Sequence, residues 1–287
     1  MRVTLTKGDM VLELDPCAGG AVRALRCCDL DILRPGPERI GPAFDPVKYA
    51  AFPMVPFVGR IHNGAFDCNG DAIELPENMP PEPHAIHGHG WRAAWKLISE
   101  TEDTASLVYD HTSDAWPWDY TARQDFKLDK NQMTVRLSIT NKGMTNMPAG
   151  MGWHPYFPRE NAILTLPTVK QWVPNDETGD NVPIAPQRAI NLSCGETVEA
   201  MTLDTTFSVS EPDISITWPT HAVRMVSDPV FAHATVYVPP GEDYFCAEPI
   251  THAPNAVNSA LPASETGLKW LAPGETLTGS IVLSVTR

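Results

Sequence analysis

The chain has 287 residues, 43% of them hydrophobic and 20% charged, which is the balance of a globular protein able to bury a large core and excludes a disordered one. Its formal net charge of −14 repels nucleic acid and anionic lipid, so both are set aside as partners and a neutral small molecule is the easier ligand. Proline is the outlier, at 28 residues about twice average usage, and it predicts many short strands joined by ordered loops, because proline ends helices and central strands.

In chain order, Val3 and Leu5, then Met10, Leu12 and Leu14, are spaced by two, as in strands with one buried face. A further strand is predicted over residues 21–33, after which Pro35, Pro37, Pro42 and Pro46 enforce a loop. Residues 51–66 form an apolar segment broken by Pro53 and Pro56 and carrying one cation, Arg60. An arginine there is a surface group, is anchored by an acid, or is aimed at a ligand's oxygens. Asn69-Gly70 between alternating runs predicts a hairpin, since the favoured two-residue turn needs positive φ at both positions. Residues 76–90 are a Pro- and Gly-rich loop holding His84, His87 and His89. No carboxylate or cysteine cluster and no helical spacing accompanies them, so a substrate-facing histidine is expected ahead of a metal site.

Met133, Val135, Leu137 and Ile139 alternate with polar residues and pair plausibly with residues 120–128 through the turn 129–132. Trp116-Pro117-Trp118 reads as a packing corner. Short strands are predicted at 163–166, 214–218, 223–226, 234–238 and 244–247, and Leu277, Ile281, Leu283 and Val285 close the chain. Helical periodicity nowhere exceeds about three turns, and there is no internal repeat. The expected fold is all-β, a large antiparallel β-sandwich in a single domain over residues 1–287.

The six cysteines, Cys17, Cys27, Cys28, Cys68, Cys194 and Cys246, show neither Cys-x-x-Cys spacing nor a regular framework, so reduced thiols are expected and zinc and disulfides are not. Met1 leads into polar residues without a signal-like or membrane-spanning run, so a cytoplasmic location is expected.

Two stretches carry the clearest chemistry. In Met151-Gly152-Trp153-His154-Pro155-Tyr156-Phe157-Pro158-Arg159 a single histidine stands among aromatic rings, a setting suited equally to packing and to a proton donor, with Trp153, Tyr156 and Phe157 expected to wall the imidazole. Glu248 precedes Pro249, where a strand is expected to end, and Phe245, Cys246 and Ala247 beside it would raise its pKa toward useful base strength. Sheet capping or pairing with Arg60 is the alternative. A serine-hydrolase elbow, a phosphate loop and a dinucleotide fingerprint are all absent.

PFVGRIHNGAF around Arg60, AIHGHGW around His87, GWHPYF around His154, LDTTF around Asp204, CAEPITHAPNAVN around Glu248 and the closing GLKWLAPGETLTGSIVL come in one order across nearly the whole chain. Jointly they resemble the aldose 1-epimerases, the galactose mutarotases. The resemblance implies a β-sandwich with an open cleft that binds a free sugar and interconverts its anomers without metal or cofactor. By position His154 resembles the family's general acid, to be protonated when sugar binds, and Glu248 its general base. His87 resembles a second histidine that polarises the sugar, and Arg60 and Asp204 a hydroxyl-binding pair. Asp213 or Asp228 could stand in for Asp204, and His89 could share or take the role of His87. Gly59 occupies a position where many relatives carry asparagine, and Gly88-His89-Gly90-Trp91 is a variant of a bacterial branch, so galactose is not carried over as the substrate. A hexose-6-phosphate epimerase and a non-catalytic carbohydrate-binding module are the alternatives, and monomer and homodimer both stay open.

Overall fold

A computed structural model describes residues 2–38, 44–175, 180–187 and 190–287. Pro42, counted above among the loop prolines, lies outside the described residues. The chain is nearly all β, built on two large antiparallel sheets, one of eleven strands and one of nine among the described residues. The expected fold class is therefore the observed one.

The larger sheet runs in the order Val3–Lys7, Met10–Asp15, Ala21–Cys27, Ala51–Met54, Gly152–Pro158, Tyr244–Ile250, His233–Val238, Leu203–Val209, Thr168–Pro174 and Asn181–Ile184, with the short strand Leu30–Asp31 beside the third. The smaller one centres on Tyr120–Leu128, Gln132–Asn141 and Thr276–Thr286. Period-two alternation explains both. Met133, Val135, Leu137 and Ile139 are buried opposite Leu283, Ile281, Gly279 and Leu277, while the large sheet turns Val3, Leu12, Trp153, Phe157, Phe245 and Ala247 into the same buried cluster. The two inner faces make one core. The hairpin at Asn69-Gly70 forms as expected, with φ of 58° and 91°. The strand predicted over residues 21–33 is broken instead at Cys28, which takes φ 53° in a turn.

Proline behaves differently from the expectation. Pro53, Pro155 and Pro249 all lie inside central strands of the large sheet. Each lacks one N–H, so only the ladder on that side is thinned. Between Gly152–Pro158 and Tyr244–Ile250 the paired positions jump from Gly152–Ile250 to Tyr156–Cys246. The gap opened by Pro155 and Pro249 holds His154 and Glu248. Glu248 is thus an interior strand residue and does not mark a strand end.

Arg159, at the end of the histidine strand, is a buried structural group. Its guanidinium donates to the carbonyls of Pro239, Glu242, Glu199 and Met201 at 2.6–3.2 Å, pinning the segment that leads into Leu203–Val209. Arg159→Leu leaves those carbonyls without a donor and is expected to cost about 3 kcal/mol or more in urea denaturation; a change under about 1 kcal/mol would show that this pin is idle.

Candidate active site

A cleft of about 590 Å³ opens on the outer face of the large sheet. Strand alternation decides which side chains reach it. His154 and Tyr156 point outward, with Cys246 and Glu248 from the neighbouring strand, while Trp153 and Phe157 belong to the inner core. The expected wall is therefore corrected: a strand presents every second residue to one face, so Trp153 and Phe157 cannot touch the ring. The imidazole lies between the ring of Tyr156 at 4.8 Å and that of Phe52 at 4.5 Å, and Phe52 is its register partner on the next strand. Likewise Cys246 shares the face of Glu248, and Phe245 and Ala247 do not.

Cross-strand rows then lay out the site. His154 falls opposite Glu248 in the register set by the flanking pairs. Glu248 faces Thr235, and Thr235 faces Thr206. One row over, Cys246 faces Tyr237, which faces Asp204. Asp204 stands two strands and two residues from Glu248, about 12 Å at the usual strand spacing and rise.

His154 Nε2 and Glu248 Oε1 are 3.3 Å apart, and both side chains are almost wholly buried. Burial drives His154 down to about 3 and, more weakly, so does the positive charge of Arg34. Burial drives Glu248 well above the usual carboxylate range, helped by the negative charge of Asp204 and opposed by Arg60. Both directions favour a neutral pair with its shared proton on Glu248, donated to His154 Nε2. The imidazolium expected from the sequence is the other tautomer of this same charge state.

His87 and Arg60 arrive together on a small ladder that pairs Arg60 with Ile86 and Ile61 with Ala85. The Gly59 N–H donates to His87 Nδ1 at 3.2 Å, which leaves the proton of the neutral ring on Nε2 as a donor. Burial, then the neighbouring His154 and Arg60, keep His87 well below the ordinary imidazole range. The ring stands edge-on to His154, with centroids 5.4 Å apart. Gly88, at φ 68°, packs against the Val55 carbonyl so closely that an added Cβ would lie 2.1 Å from that oxygen, so only glycine fits after His87. The Thr251–Asn255 motif fastens this corner: His252 Nε2 accepts from the Val58 N–H at 3.2 Å, Asn255 N–H donates to the Arg60 carbonyl at 2.9 Å, and Asn255 Oδ1 accepts from the His62 N–H at 3.1 Å.

The Arg60 guanidinium lies 3.5 Å from Asp204 and 3.4 Å from Glu82, and all three line the cleft. Asp213 is taken up by Arg224, and Asp228 accepts from the Ser280 N–H; neither lines the cleft. Glu82 was missed from sequence because its Pro-rich loop has no periodicity to place it.

His89 does not join these residues. It turns away from the cleft to stack on His111, with ring centroids 4.4 Å apart and planes within 2°, and its Nδ1 is 3.2 Å from the Tyr120 hydroxyl. The three loop histidines diverge, His84 pairing with His62 near the surface. Among the described residues, two groups bring three possible metal-ligand atoms within 4.8 Å of one another: His89, His111 and Asp114, and His154, Cys246 and Glu248. In the first, the parallel rings cannot both hold one ion in plane. In the second, burial raises the Cys246 thiol and the Glu248 carboxyl, so a metal there would have to displace two protons.

The sequence model described as aldose 1-epimerase matches residues 3–284. The uncharacterized protein YphB of Escherichia coli (strain K12) is 30% identical over 299 residues, which cover 98% of both chains. The crystal structure of an Escherichia coli K12 protein described as a candidate aldose 1-epimerase superposes with a TM-score of 0.89 at 28% identity, over 100% of this chain and 99% of that one. A galactose mutarotase-like protein from Clostridium acetobutylicum has the same fold, with a TM-score of 0.87 at 19% identity over 100% and 95% of the two chains.

Proposed function

This chain belongs to the aldose 1-epimerase family, and from that premise and the cleft we propose that it is a mutarotase, interconverting the α and β anomers of an uncharged aldose. The observation that carries this reading is the buried contact between His154 and Glu248, a proton donor and acceptor that a purely sugar-binding module does not need.

Mutarotation takes a proton from the anomeric hydroxyl and delivers one to the ring oxygen, so that the C1–O5 bond breaks and an aldehyde forms. Both oxygens sit on one carbon, so two groups 3.3 Å apart can each reach one of them. The pair holds a single proton. With that proton on His154, Glu248 is a carboxylate that accepts the anomeric proton while His154 Nε2–H protonates the ring oxygen. Ring opening leaves Glu248 protonated and His154 neutral, the tautomer that burial favours, so the dry pocket stabilises the opened state relative to the closed one. Rotation about C1–C2 exposes the other carbonyl face, and reclosure runs the two transfers backward. His87 Nε2–H donates to a sugar oxygen, and Arg60 and Asp204 hold hydroxyls while C1 turns.

A phosphorylated sugar is disfavoured, because Arg60 is the single Arg or Lys among the described residues lining the cleft and already faces two carboxylates. Addition of purified protein to freshly dissolved α-D-glucose and α-D-galactose, followed by polarimetry, is expected to bring at least one of them to equilibrium faster than buffer; binding without acceleration for every aldose tried would favour the binding-module reading.

A further inference from the structure

Glu82 has no part in the proton transfers above, yet it completes the charged corner of the cleft. The Arg60 guanidinium contacts two carboxylates, its Nη2 lying 3.4 Å from Glu82 and 3.5 Å from Asp204, and the side chains of Arg60, Glu82 and Asp204 are 38%, 37% and 47% exposed. Asp204 alone would balance the guanidinium. The second carboxylate overcompensates it, and His87, His154 and Glu248, which burial holds neutral, do not restore the balance; His62, the other histidine lining the cleft, packs its ring on His84. Arg34 does not line the cleft; its guanidinium is spent between the rings of Tyr156 and Tyr244, 4.2 Å from each centroid. Among the described residues, the corner that would receive a sugar's outlying substituents therefore sets two carboxylates around one guanidinium.

We propose that Glu82 is a specificity-determining residue that excludes anionic aldoses, uronates and sugar phosphates alike, from the cleft by occupying Arg60 and leaving a surplus carboxylate beside it. An anion reaching for Arg60 must displace Glu82 and then sit next to both it and Asp204, a like-charge juxtaposition that selects against the wrong ligand without adding affinity for the right one. A neutral sugar meets the same corner as one donor flanked by two acceptors.

This inference rests on the mutarotase reading only for its kinetic form. The test compares kcat/KM for glucose 6-phosphate and for glucose in the wild-type protein, in Glu82→Gln and in Glu82→Asp, with binding of the same two sugars followed by saturation-transfer NMR. In Glu82→Gln the phosphate-to-glucose ratio is expected to rise about tenfold, less so at high salt, and Glu82→Asp is expected to restore most of the discrimination. A ratio that stays put, or losses that fall equally on both sugars, would reduce Glu82 to a prop for Arg60 and overturn the proposal. If the wild-type protein accelerates no sugar, the mutarotase reading fails, and the ratio of the two binding affinities still decides the role of Glu82.

Discussion

Glu248→Gln is expected to lower kcat for mutarotation by about a thousandfold, within the range for loss of one general acid–base group, while leaving sugar binding and the fold in place. The resting protein explains why the fold survives. Burial holds Glu248 protonated and neutral, so a neutral amide of the same shape matches the native state, and its NH2 can still donate across the 3.3 Å gap to His154 Nε2. What the amide lacks is the second proton state. It can neither take the proton of the anomeric hydroxyl nor pass one to His154, so the pair loses its working tautomer. Polarimetry for turnover, saturation-transfer NMR for binding and a thermal melt together check this, and a Glu248→Gln protein that equilibrates sugar at the wild-type rate would remove the base from the mechanism.

The second large effect concerns acid. Five histidines are pushed below the ordinary imidazole value of 6.5: His89, His233 and His252 to about 4, His154 to about 3, and His87 well below its ordinary range, burial being the leading cause in each. In the unfolded chain they bind protons as pH falls through about 6.5, and in the folded chain they do not. The stability they contribute is therefore fully present above 6.5 and is lost on going down toward about 4, at about 1.4 kcal/mol per pH unit for each histidine that titrates. Asp15 and Glu248, both raised by burial, act with the opposite sign, since their protons are held more tightly in the folded state, but they are outnumbered. The Tm is expected to fall steeply between pH 6.5 and 4, and a Tm that holds level or climbs across that window would contradict the assigned protonation states. Wherever the protein stays folded, because His154 gains a second proton only near 3, kcat/KM is expected to lack the limb near 6.5 that a free imidazole would give.

Much of this was written in the chain. Alternation placed the strands Gln132–Asn141 and Thr276–Thr286, and Asn69-Gly70 placed its hairpin, because both signals are local. The motifs around Arg60, His87, His154, Asp204 and Glu248 named residues that the fold gathers at one cleft. Other features depended on three-dimensional context. Prolines that read as strand breakers lie in the middle of the sheet, because losing one N–H thins a single ladder and here makes room for the acid–base pair. The side to which Trp153 and Phe157 point was available from the period of two, once His154 was assigned to the cleft. His89 sits two residues from His87, yet the positive φ at His87 and Gly88 turns it away toward His111. Glu82 came from a loop without pattern, and the resting position of the shared proton came from burial that no composition reveals.

The most direct test follows the anomeric centre itself. With glucose carrying 18O on the anomeric oxygen, two-dimensional exchange NMR at C1 monitors the passage between α and β forms, and the isotope shift monitors whether the oxygen stays. Opening at the C1–O5 bond between Glu248 and His154 is expected to give protein-dependent anomer exchange, abolished in Glu248→Gln, with the label retained through many exchanges. Exchange no faster than in buffer for any uncharged aldose that binds, or loss of the label at the rate of anomer exchange, would contradict it.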